Sequence, residues 1–255
     1  MKLTDDHVDT NFELQRSGYY TSRDGGGGQP LYYSSTRIPS TNWNHAHRAD
    51  PGDPQHVEFI SGKAEERGLA PAFFVRERDL ARIADFSEAN TLARERWMLC
   101  DYDTIAKSPS TIDTHIEFTS EAIPSNDYLS VLSNMYEDEA LNNRFRNFYI
   151  PTLQNASLIN STKCIHATLY YDNSPVSCGS VYLNGPYAGL YNVGTRYGSG
   201  RRGFGALVSW HLTNEALRAG AADVFLQCVI GTHVERLYAN LGYQSVEMPG
   251  ILIMN

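Results

Sequence analysis

The chain has 255 residues, a formal net charge of −8 and a hydrophobic content of 42%. This composition is sufficient for a globular core, and the acidity argues against a protein that binds nucleic acid or lies on a membrane surface. The sequence has no apolar run near the roughly 18 residues of a membrane span, and its first ten residues lack the apolar core of a signal peptide. We therefore expect a cytoplasmic protein.

The cysteines and histidines give no pattern typical of a metal site. Four cysteines lie far apart without a C-x-x-C motif, at Cys100, Cys164, Cys178 and Cys228. Such spacing favours reduced, mostly buried thiols. His45 and His47 have ligand-like spacing, but they fall in a polar segment, so no metal is expected.

The first part of the chain is predicted to be irregular over residues 1–54, apart from a candidate strand over 31–36. The polar segment 42–47 is either a surface loop or a loop that reaches over an active site in the second half. The next fifty residues are more regular. Their pattern predicts helix, strand, helix and strand over 55–67, 72–75, 80–89 and 96–102. Residues 107–110 are the best candidate linker.

The second part is predicted to alternate between strands and helices. We expect a first strand over 112–118, followed by helices over 126–136 and 140–154, and Ser125 or Asn126 could cap the first helix. Strands are then expected over 164–171, 176–183 and 187–195. A turn at 172–175 joins the first two of these strands. A helix over 206–219 ends at Gly220. A strand over 224–230, a short helix containing 237–241 and a final strand over 250–254 follow.

A glycine-rich turn joins the strand over 187–195 to the helix that follows it. Gly198, Gly200, Gly203 and Gly205 crowd into eight positions, next to Arg201 and Arg202. The free N–H groups of a first helical turn carry a positive partial charge, and glycine lets phosphate approach the backbone. The pattern therefore predicts a phosphate-binding turn.

Two kinds of phosphate site are compatible with this turn. Gly198-x-Gly200-x-x-Gly203 satisfies the dinucleotide fingerprint, for which Asp223 stands at about the right distance. That fingerprint should open a long βαβ domain, whereas about fifty residues remain here, and Asp223 precedes the next strand instead of closing it. No G-K-[ST] follows, which excludes a nucleotide-triphosphate P-loop.

The second kind agrees better with the surrounding sequence. The segment 200–205 (GRRGFG) resembles the acyl-CoA pyrophosphate loop of the GCN5-related N-acetyltransferases (GNATs), and 237–243 (LYANLGY) resembles the L-Y-x-x-L-G-F signature of that family. The resemblance implies an α/β (α+β) GNAT fold, with a mixed, mostly antiparallel sheet whose central strands splay apart between flanking helices. It covers residues 109–255 as a catalytic domain. Residues 1–108 would form an N-terminal subdomain, either a degenerate GNAT-like half or a family-specific buttress.

The same resemblance implies the roles of particular residues. Pantetheine would lie along Val193, Gly194 and Thr195, and the pyrophosphate along the backbone of Arg201, Arg202, Gly203, Phe204, Gly205 and Ala206. Tyr238 matches the general acid that protonates the leaving thiolate. Two positions depart from the family pattern: Gly200 stands where Gln or Arg is usual, and Gly231 where Asn is frequent.

The acceptor side is less well defined. An aromatic-rich helix face with Tyr136 and Phe145, together with Asn192 on the strand before the loop, is the candidate substrate wall, although simple core packing explains the aromatic residues equally well. No base stands out. A proton path through water is the default, and the other candidates are Glu117, His211, Glu215 and, as a nucleophile, Cys228.

The leading functional hypothesis is an N-acetyltransferase that moves an acetyl group from acetyl-CoA to a primary amine of a small molecule in a ternary complex. The alternatives are a protein or peptide N-acetyltransferase, a non-catalytic acyl-CoA-binding or regulatory module, and a nucleotide-linked oxidoreductase. The expected partner is the small-molecule amine, with no nucleic acid and no membrane, and the chain is expected to be a monomer or homodimer.

Overall fold

The computed structural model describes residues 1–83, 91–109 and 112–254. The α-helices and strands in the described residues of the first part are α1 (Asp5–Gln15), β1 (Ser22–Gly26), β2 (Gln29–Ser34), β3 (Asn44–His47), α2 (Pro54–Glu65), β4 (Ala72–Val75), α3 (Leu80–Ile83), β5 (Thr91–Arg94) and β6 (Arg96–Cys100). The helix predicted over 80–89 is confirmed at its start, and its continuation lies outside the described residues.

The second part begins with β7 (His115–Thr119), α4 (Asn126–Leu132), α5 (Glu139–Arg144) and α6 (Ile150–Leu153). It continues through β8 (Lys163–Tyr171), β9 (Ser174–Asn184), β10 (Tyr187–Thr195), α7 (Phe204–Arg218), β11 (Asp223–Cys228), α8 (His233–Asn240), β12 (Gln244–Glu247) and β13 (Gly250–Ile253). In the described part of the chain, no helix is long and apolar enough to cross a membrane.

Local sequence explains most of these boundaries. Ser125 accepts the N–H of Tyr128 and caps α4 as expected. Asp172 and Asn173 both have positive φ in the β8–β9 turn, which these residue types tolerate. One predicted helix differs: residues 140–154 form α5, a π-helical turn over Phe145–Tyr149, and α6. Pro151 has no N–H to donate, so a regular α-helical ladder cannot run through this segment.

The prediction that residues 1–54 are irregular is wrong. Thr4 and His7 form a reciprocal capping box at the start of α1, and three strands follow that helix. The polar segment 42–47 is also no surface loop, because all four residues of β3 are buried. Sequence periodicity missed both elements because they bury polar side chains, including Asn11 in α1 and Asn44 in β3.

The strands form two sheets with the same internal pattern. The six-stranded sheet has the order β1-β2-β3-β4-β13-β5, and part of the seven-stranded sheet has the order β8-β9-β10-β11-β6-β12. In each series the third and fourth strands are parallel, whereas the other neighbours are antiparallel. The first part of the chain is therefore a structural repeat of the second, with α2 and α7 as equivalent crossover helices.

Each part of the chain supplies one strand to the other part's sheet. β6 lies before residue 108 and inserts between β11 and β12, whereas the last strand, β13, inserts between β4 and β5. The two insertions occupy equivalent places. The division of the chain at residue 108 stays a prediction, and a reciprocal strand exchange connects the two sides of it.

The seven-stranded sheet is covered on both faces. Alternate residues of β6 and β11 pack under α7, in a cluster that includes Met98, Cys100, Val208, Leu212, Val224 and Leu226. The residues between them face α1, in a second cluster that includes Phe12, Tyr33, Trp97, Leu99 and Phe225. This alternation follows the two-residue period of a strand. The N-terminal repeat is thus packed against the sheet that carries the glycine turn.

Candidate active site

The parallel strands β10 and β11 separate along their length. They pair from Tyr187 and Asp223 as far as Gly189 and Phe225, and beyond that point the two strands are no longer paired. On its other edge, β10 has a register shift against β9 between Tyr191 and Gly194. Residues 190–195 of β10 pair with β9 on one edge but not with β11 on the other, and they therefore border a gap in the centre of the sheet.

Two residues make this bend in β10 possible. Asn192 has a φ of +57°, a left-handed conformation that Asn adopts more readily than most residues. Its side-chain oxygen accepts a hydrogen bond from the Tyr19 hydroxyl, while its buried amide nitrogen has no partner among the described residues. A side chain on Gly194 would begin 3.0 Å from the Met135 sulfur and 3.3 Å from the Leu132 side chain, so glycine lets α4 and the residues after it approach β10 closely.

The glycine turn ends at an uncapped helix. Gly203 is the N-cap of α7 with a φ of +82°, and no side chain caps the helix. The N–H of Leu207 makes the first intrahelical bond, 2.9 Å to the Gly203 carbonyl. The N–H groups of Phe204, Gly205 and Ala206 therefore have no acceptor within the helix. This end of a 15-residue helix is suited to an anion.

The side chains around this end have other partners. Phe204 is buried with Leu169, Val176 and Leu207, so its backbone alone can face a ligand. The Arg202 guanidinium lies 4.0 Å from the centroid of the Tyr171 ring, and Arg201 is exposed. A side chain on Gly205 would begin 3.2 Å from the Thr195 hydroxyl oxygen, so this glycine lets α7 approach β10 closely.

A cavity of about 640 Å³ opens from the gap between β10 and β11. Five of the residues predicted from the sequence line it: Tyr136, Phe145, Asn192, Val193 and Tyr238. Gly194, Thr195 and residues 201–206 are not among its lining residues; they lie at the end of β10 and the start of α7. The structure thus separates the predicted residues into a cavity and an adjoining phosphate-type turn.

Tyr238 has the properties of a proton donor. It lies on α8, lines the cavity and is 6% exposed. Burial raises the pKa of its phenol above the ordinary value, so the hydroxyl is protonated throughout the neutral range. The short α8 begins after Gly231, whose N–H donates to the Glu235 carboxylate at 2.7 Å. Gly231 has a φ of +74°, which accounts for glycine at this position.

Sequence reasoning missed a carboxylate in the cavity, Glu95. This residue lies between β5 and β6, and its side chain lines the cavity. Its side chain remains open to solvent at the cavity, and partial desolvation by the surrounding protein raises its pKa. The sequence signal was weak because Glu95 stands in the charged run 94–96 (RER), which is typical of a solvated loop.

Sequence reasoning also missed a polar cluster centred on α1. The side-chain oxygen of Asn11 accepts hydrogen bonds from the Tyr191 hydroxyl at 2.8 Å, from Gln15 at 2.8 Å and from Gln227 at 3.2 Å. All four residues line the cavity. The cluster was not predicted because α1 was not predicted.

His45 completes the wall that the N-terminal repeat contributes. Its Nδ1 lies 3.0 Å from the Thr41 carbonyl and therefore carries a proton, which leaves Nε2 as an acceptor 3.4 Å from the Tyr20 hydroxyl. Burial lowers the pKa of His45 to about 4, so its ring is neutral near pH 7. The alternative in which residues 42–47 reach over an active site agrees with this position, because Asn42, Trp43 and His45 all line the cavity.

Three of the candidate bases do not line the cavity. Glu117 is exposed and contacts His115 and Tyr170, while Glu215 pairs with Arg218 on α7. His211 packs at the edge of the Phe118 ring. Cys228 does line the cavity, but burial raises its pKa to about 11, which disfavours a thiolate nucleophile. Within the described residues, no three His, Cys, Asp or Glu side chains are grouped as metal ligands would be.

Comparison with solved structures shows the fold. Over 97% of its length the chain is similar to 93% of a GCN5-related N-acetyltransferase from Kribbella flavida, with a TM-score of 0.69 and 17% identity. It is also similar to a tandem GNAT protein from the clavulanic acid biosynthesis pathway, with a TM-score of 0.61, 12% identity and coverage of 100% of this chain and 96% of the other. A third similar structure is a GCN5-related N-acetyltransferase from Sphaerobacter thermophilus, with a TM-score of 0.55, 12% identity and coverage of 89% and 80%.

No protein-family model and no curated protein sequence matches the chain. The structural similarity establishes the GNAT fold, and its extent over both repeats agrees with the tandem arrangement of the two sheets.

Proposed function

We propose that this protein is an N-acetyltransferase that transfers an acetyl group from acetyl-CoA to a primary amine of a small molecule, by direct attack in a ternary complex. The observation that carries the proposal is the gap between β10 and β11, which joins an uncapped helix end on one side to a cavity containing Tyr238 on the other. A thioester with a long phosphorylated arm requires this combination of sites.

The residues around the gap are compatible with acetyl-CoA. Val193, Gly194 and Thr195 lie on the part of β10 that does not pair with β11, so backbone groups that point away from β9 would be available to the amides of the pantetheine arm. The N–H groups from Gly203 to Ala206 would donate to the pyrophosphate. Arg201 and Arg202 add positive charge beside these groups, which offsets the absence of a side chain at Gly200.

The chemistry assigns a role to Tyr238. The neutral amine attacks the thioester carbon, a C–N bond forms, and the C–S bond breaks as the tetrahedral intermediate collapses. The nitrogen loses a proton, and the sulfur takes one from the Tyr238 hydroxyl. Because burial keeps that phenol protonated, it is ready to donate at neutral pH.

The experiment that tests the proposal is a parallel calorimetric titration of the protein with acetyl-CoA, CoA and NADH, followed by an amine screen for released thiol. We expect acetyl-CoA and CoA to bind and NADH to remain silent. Binding of NADH alone would favour the oxidoreductase. Binding of acetyl-CoA without turnover of any amine would favour a non-catalytic module.

The titration should give one acetyl-CoA per chain, because the N-terminal repeat has lost its phosphate turn. In the equivalent helix, α2, Pro54 stands at the first position and has no N–H, and the Asp53 carboxylate accepts the N–H of Gln55 at 2.9 Å. Asp50 adds a second carboxylate in the preceding turn. A stoichiometry of two would contradict this interpretation.

Replacing Tyr238 with Phe is expected to lower kcat by about 10²-fold, the usual size of a general-acid contribution, while acetyl-CoA affinity stays within about twofold. Tyr243 provides a matched control. It is a buried tyrosine 5.7 Å away between ring centroids, its hydroxyl contacts Thr213 at 2.6 Å, and it does not line the cavity. Tyr243→Phe should lower stability and leave kcat unchanged. Equal kinetic effects of the two variants would rule out the acid role.

A further inference from the structure

The cavity that contains Tyr238 carries very little charge. Among the described residues that line it, Glu95 is the one Asp, Glu, Lys or Arg side chain. The others are apolar, aromatic or neutral polar groups, with the histidines His45 and His233. His45 is neutral near pH 7 because burial lowers its pKa. A monocation is therefore the ligand whose charge complements this cavity.

Strand exchange places Glu95 at the open end of the gap. Arg96, the next residue, is the register partner of Cys228 in β11, and Cys228 ends that strand. The Glu95 N–H donates to the Pro249 carbonyl at 3.2 Å, where the chain crosses from β12 to β13. The Cys228 thiol interacts electrostatically with Glu95 and with Tyr238, so all three groups lie around one part of the cavity.

The carboxylate of Glu95 is available to a ligand. Burial is the one cause acting on its pKa, and among the described residues no hydrogen bond or ion pair reaches it. The nearby Glu235 differs, because it pairs with Arg96 at 2.9 Å and accepts the Gly231 N–H. A partly desolvated carboxylate that has no partner is stabilised when a cation joins it.

Aromatic rings form much of the remaining wall. Tyr19 and Trp43 have ring centroids 4.4 Å apart, and Phe145 and Tyr149 stack at 4.5 Å. All four residues line the cavity, as does Tyr20, which interacts electrostatically with Glu95. Such rings pack against a flat apolar body, and their faces attract an ammonium group.

We propose that Glu95 binds the ammonium group of the acceptor and then takes its proton, and that the acceptor is an aromatic primary amine without a carboxylate. This inference rests on the proposed acetyl transfer and adds the acceptor's chemical class and the base. The N-terminal repeat thereby supplies a catalytic residue, since Glu95 precedes β6, the strand that it inserts into the second sheet.

The proton steps balance. The acceptor enters as R–NH3⁺ and gives one proton to the Glu95 carboxylate. The resulting R–NH2 attacks the thioester carbon, and the nitrogen loses its second proton to solvent water as the C–S bond breaks. The departing sulfur takes a proton from Tyr238. The products are the amide, CoA thiol and one proton released to solvent after the two side chains return to their starting states.

The proposed chemical class of the acceptor is tested by measuring binding, so the test does not depend on turnover. Three matched pairs are titrated into the protein with and without saturating CoA: phenylethylamine and phenylalanine, tyramine and tyrosine, tryptamine and tryptophan. The members of each pair differ by one carboxylate. We expect at least one amine to bind 50-fold more tightly than its acid. Acids that bind as well as the amines, or failure of all three amines to bind, would overturn the proposal.

The role of Glu95 is tested with Glu95→Gln, which removes the charge and keeps the shape. We expect kcat/KM for the amine to fall at least 100-fold and amine binding to weaken at least 20-fold. The acetyl-CoA affinity should stay within twofold, and this unchanged affinity would show that the variant is folded. Glu117→Gln is the control: it removes an exposed carboxylate on β7, and it should leave all three quantities unchanged. A Glu95→Gln enzyme with near-normal kcat/KM would overturn the base role.

A pH profile separates proton transfer from simple positioning. Because its pKa is raised, Glu95 becomes protonated at a higher pH than an ordinary Glu as the pH falls, and kcat/KM should decline on the acidic side. Glu95→Gln should lack this limb. The other titratable groups that line the cavity are Tyr19, Tyr20, His45, Tyr136, Tyr149, Tyr191, Cys228, His233 and Tyr238, and Arg94 and Arg96 flank Glu95 in the chain. His233→Asn should retain the limb, and a limb that remains in Glu95→Gln would overturn the base role. If the wild-type protein binds the amine in a Glu95-dependent way but releases no thiol from acetyl-CoA, the ligand class would be supported. The proposed acetyl transfer would then be overturned.

Discussion

Gly203→Glu is expected to weaken acetyl-CoA binding by at least about 100-fold, which corresponds to about 2.8 kcal/mol. Gly203 caps α7 with a φ of +82°, and a Cβ built there meets no atom within 4 Å, so the new side chain would extend into the space in front of the helix. Its carboxylate would compete for the free N–H groups of Phe204 and Gly205 and would repel the phosphates. Calorimetric titration with acetyl-CoA measures the loss.

The matched control is Gly220→Glu, at the other end of the same helix. Gly220 also has a positive φ, +102°, and its Cβ position is also open. The two substitutions share the strain of a left-handed side chain, about 1–2 kcal/mol, and the same added charge. Gly220→Glu should therefore lower the melting temperature and leave acetyl-CoA affinity unchanged. Normal affinity in Gly203→Glu would show that the phosphates bind elsewhere.

The strand, glycine turn and helix over 187–219 were predictable from sequence because their signals are local. A strand ends near Thr195, glycines fill the turn, and a helix with a 3.6-residue apolar repeat runs to Gly220. Each signal depends on backbone conformation or on side chains a few positions apart. The short helix that carries Tyr238 was predicted because residues 237–243 resemble the L-Y-x-x-L-G-F signature of the GNAT family.

The acceptor side of the cavity was not predictable in the same way. Glu95, Asn11 and His45 reach it from three separate elements of the N-terminal repeat. In the sequence, Glu95 is one of several charged residues, and Asn11 stands in a helix whose buried face is partly polar. Their positions in the cavity depend on tertiary contacts between separate elements, and one sequence carries no local signal for such contacts.

The strand exchange between the two sheets was also not indicated by the sequence. The segments 96–100 (RWMLC) and 250–253 (GILI) both have the apolar character of ordinary central strands, which was enough to predict two strands. Which sheet each strand joins depends on the path of the chain between repeats. Since β6 and β13 occupy equivalent places, the side chains of either strand must fit a similar setting between two antiparallel neighbours.

Reciprocal exchange predicts that fragments 1–108 and 109–255 will not fold separately. The second fragment lacks β6, so β11 and β12 lose the partner to which Val224 and Gln244 pair. The first lacks β13 and leaves the edges of β4 and β5 unpaired. Exposed central-strand edges favour aggregation. We expect each fragment to be largely insoluble, and the two together to form a soluble complex that binds acetyl-CoA.

The control for this prediction moves the boundaries and keeps a similar length. Fragment 96–248 contains every strand of the seven-stranded sheet, whereas fragment 109–255 lacks its second strand. Both fragments lose the cover that α1 gives to Phe225, so this exposure is matched between them. Fragment 96–248 should therefore show more hydrogen-exchange protection in β11 than fragment 109–255. Equal protection would mean that β6 contributes little to the second sheet, and that Glu95 is held in the cavity by other contacts.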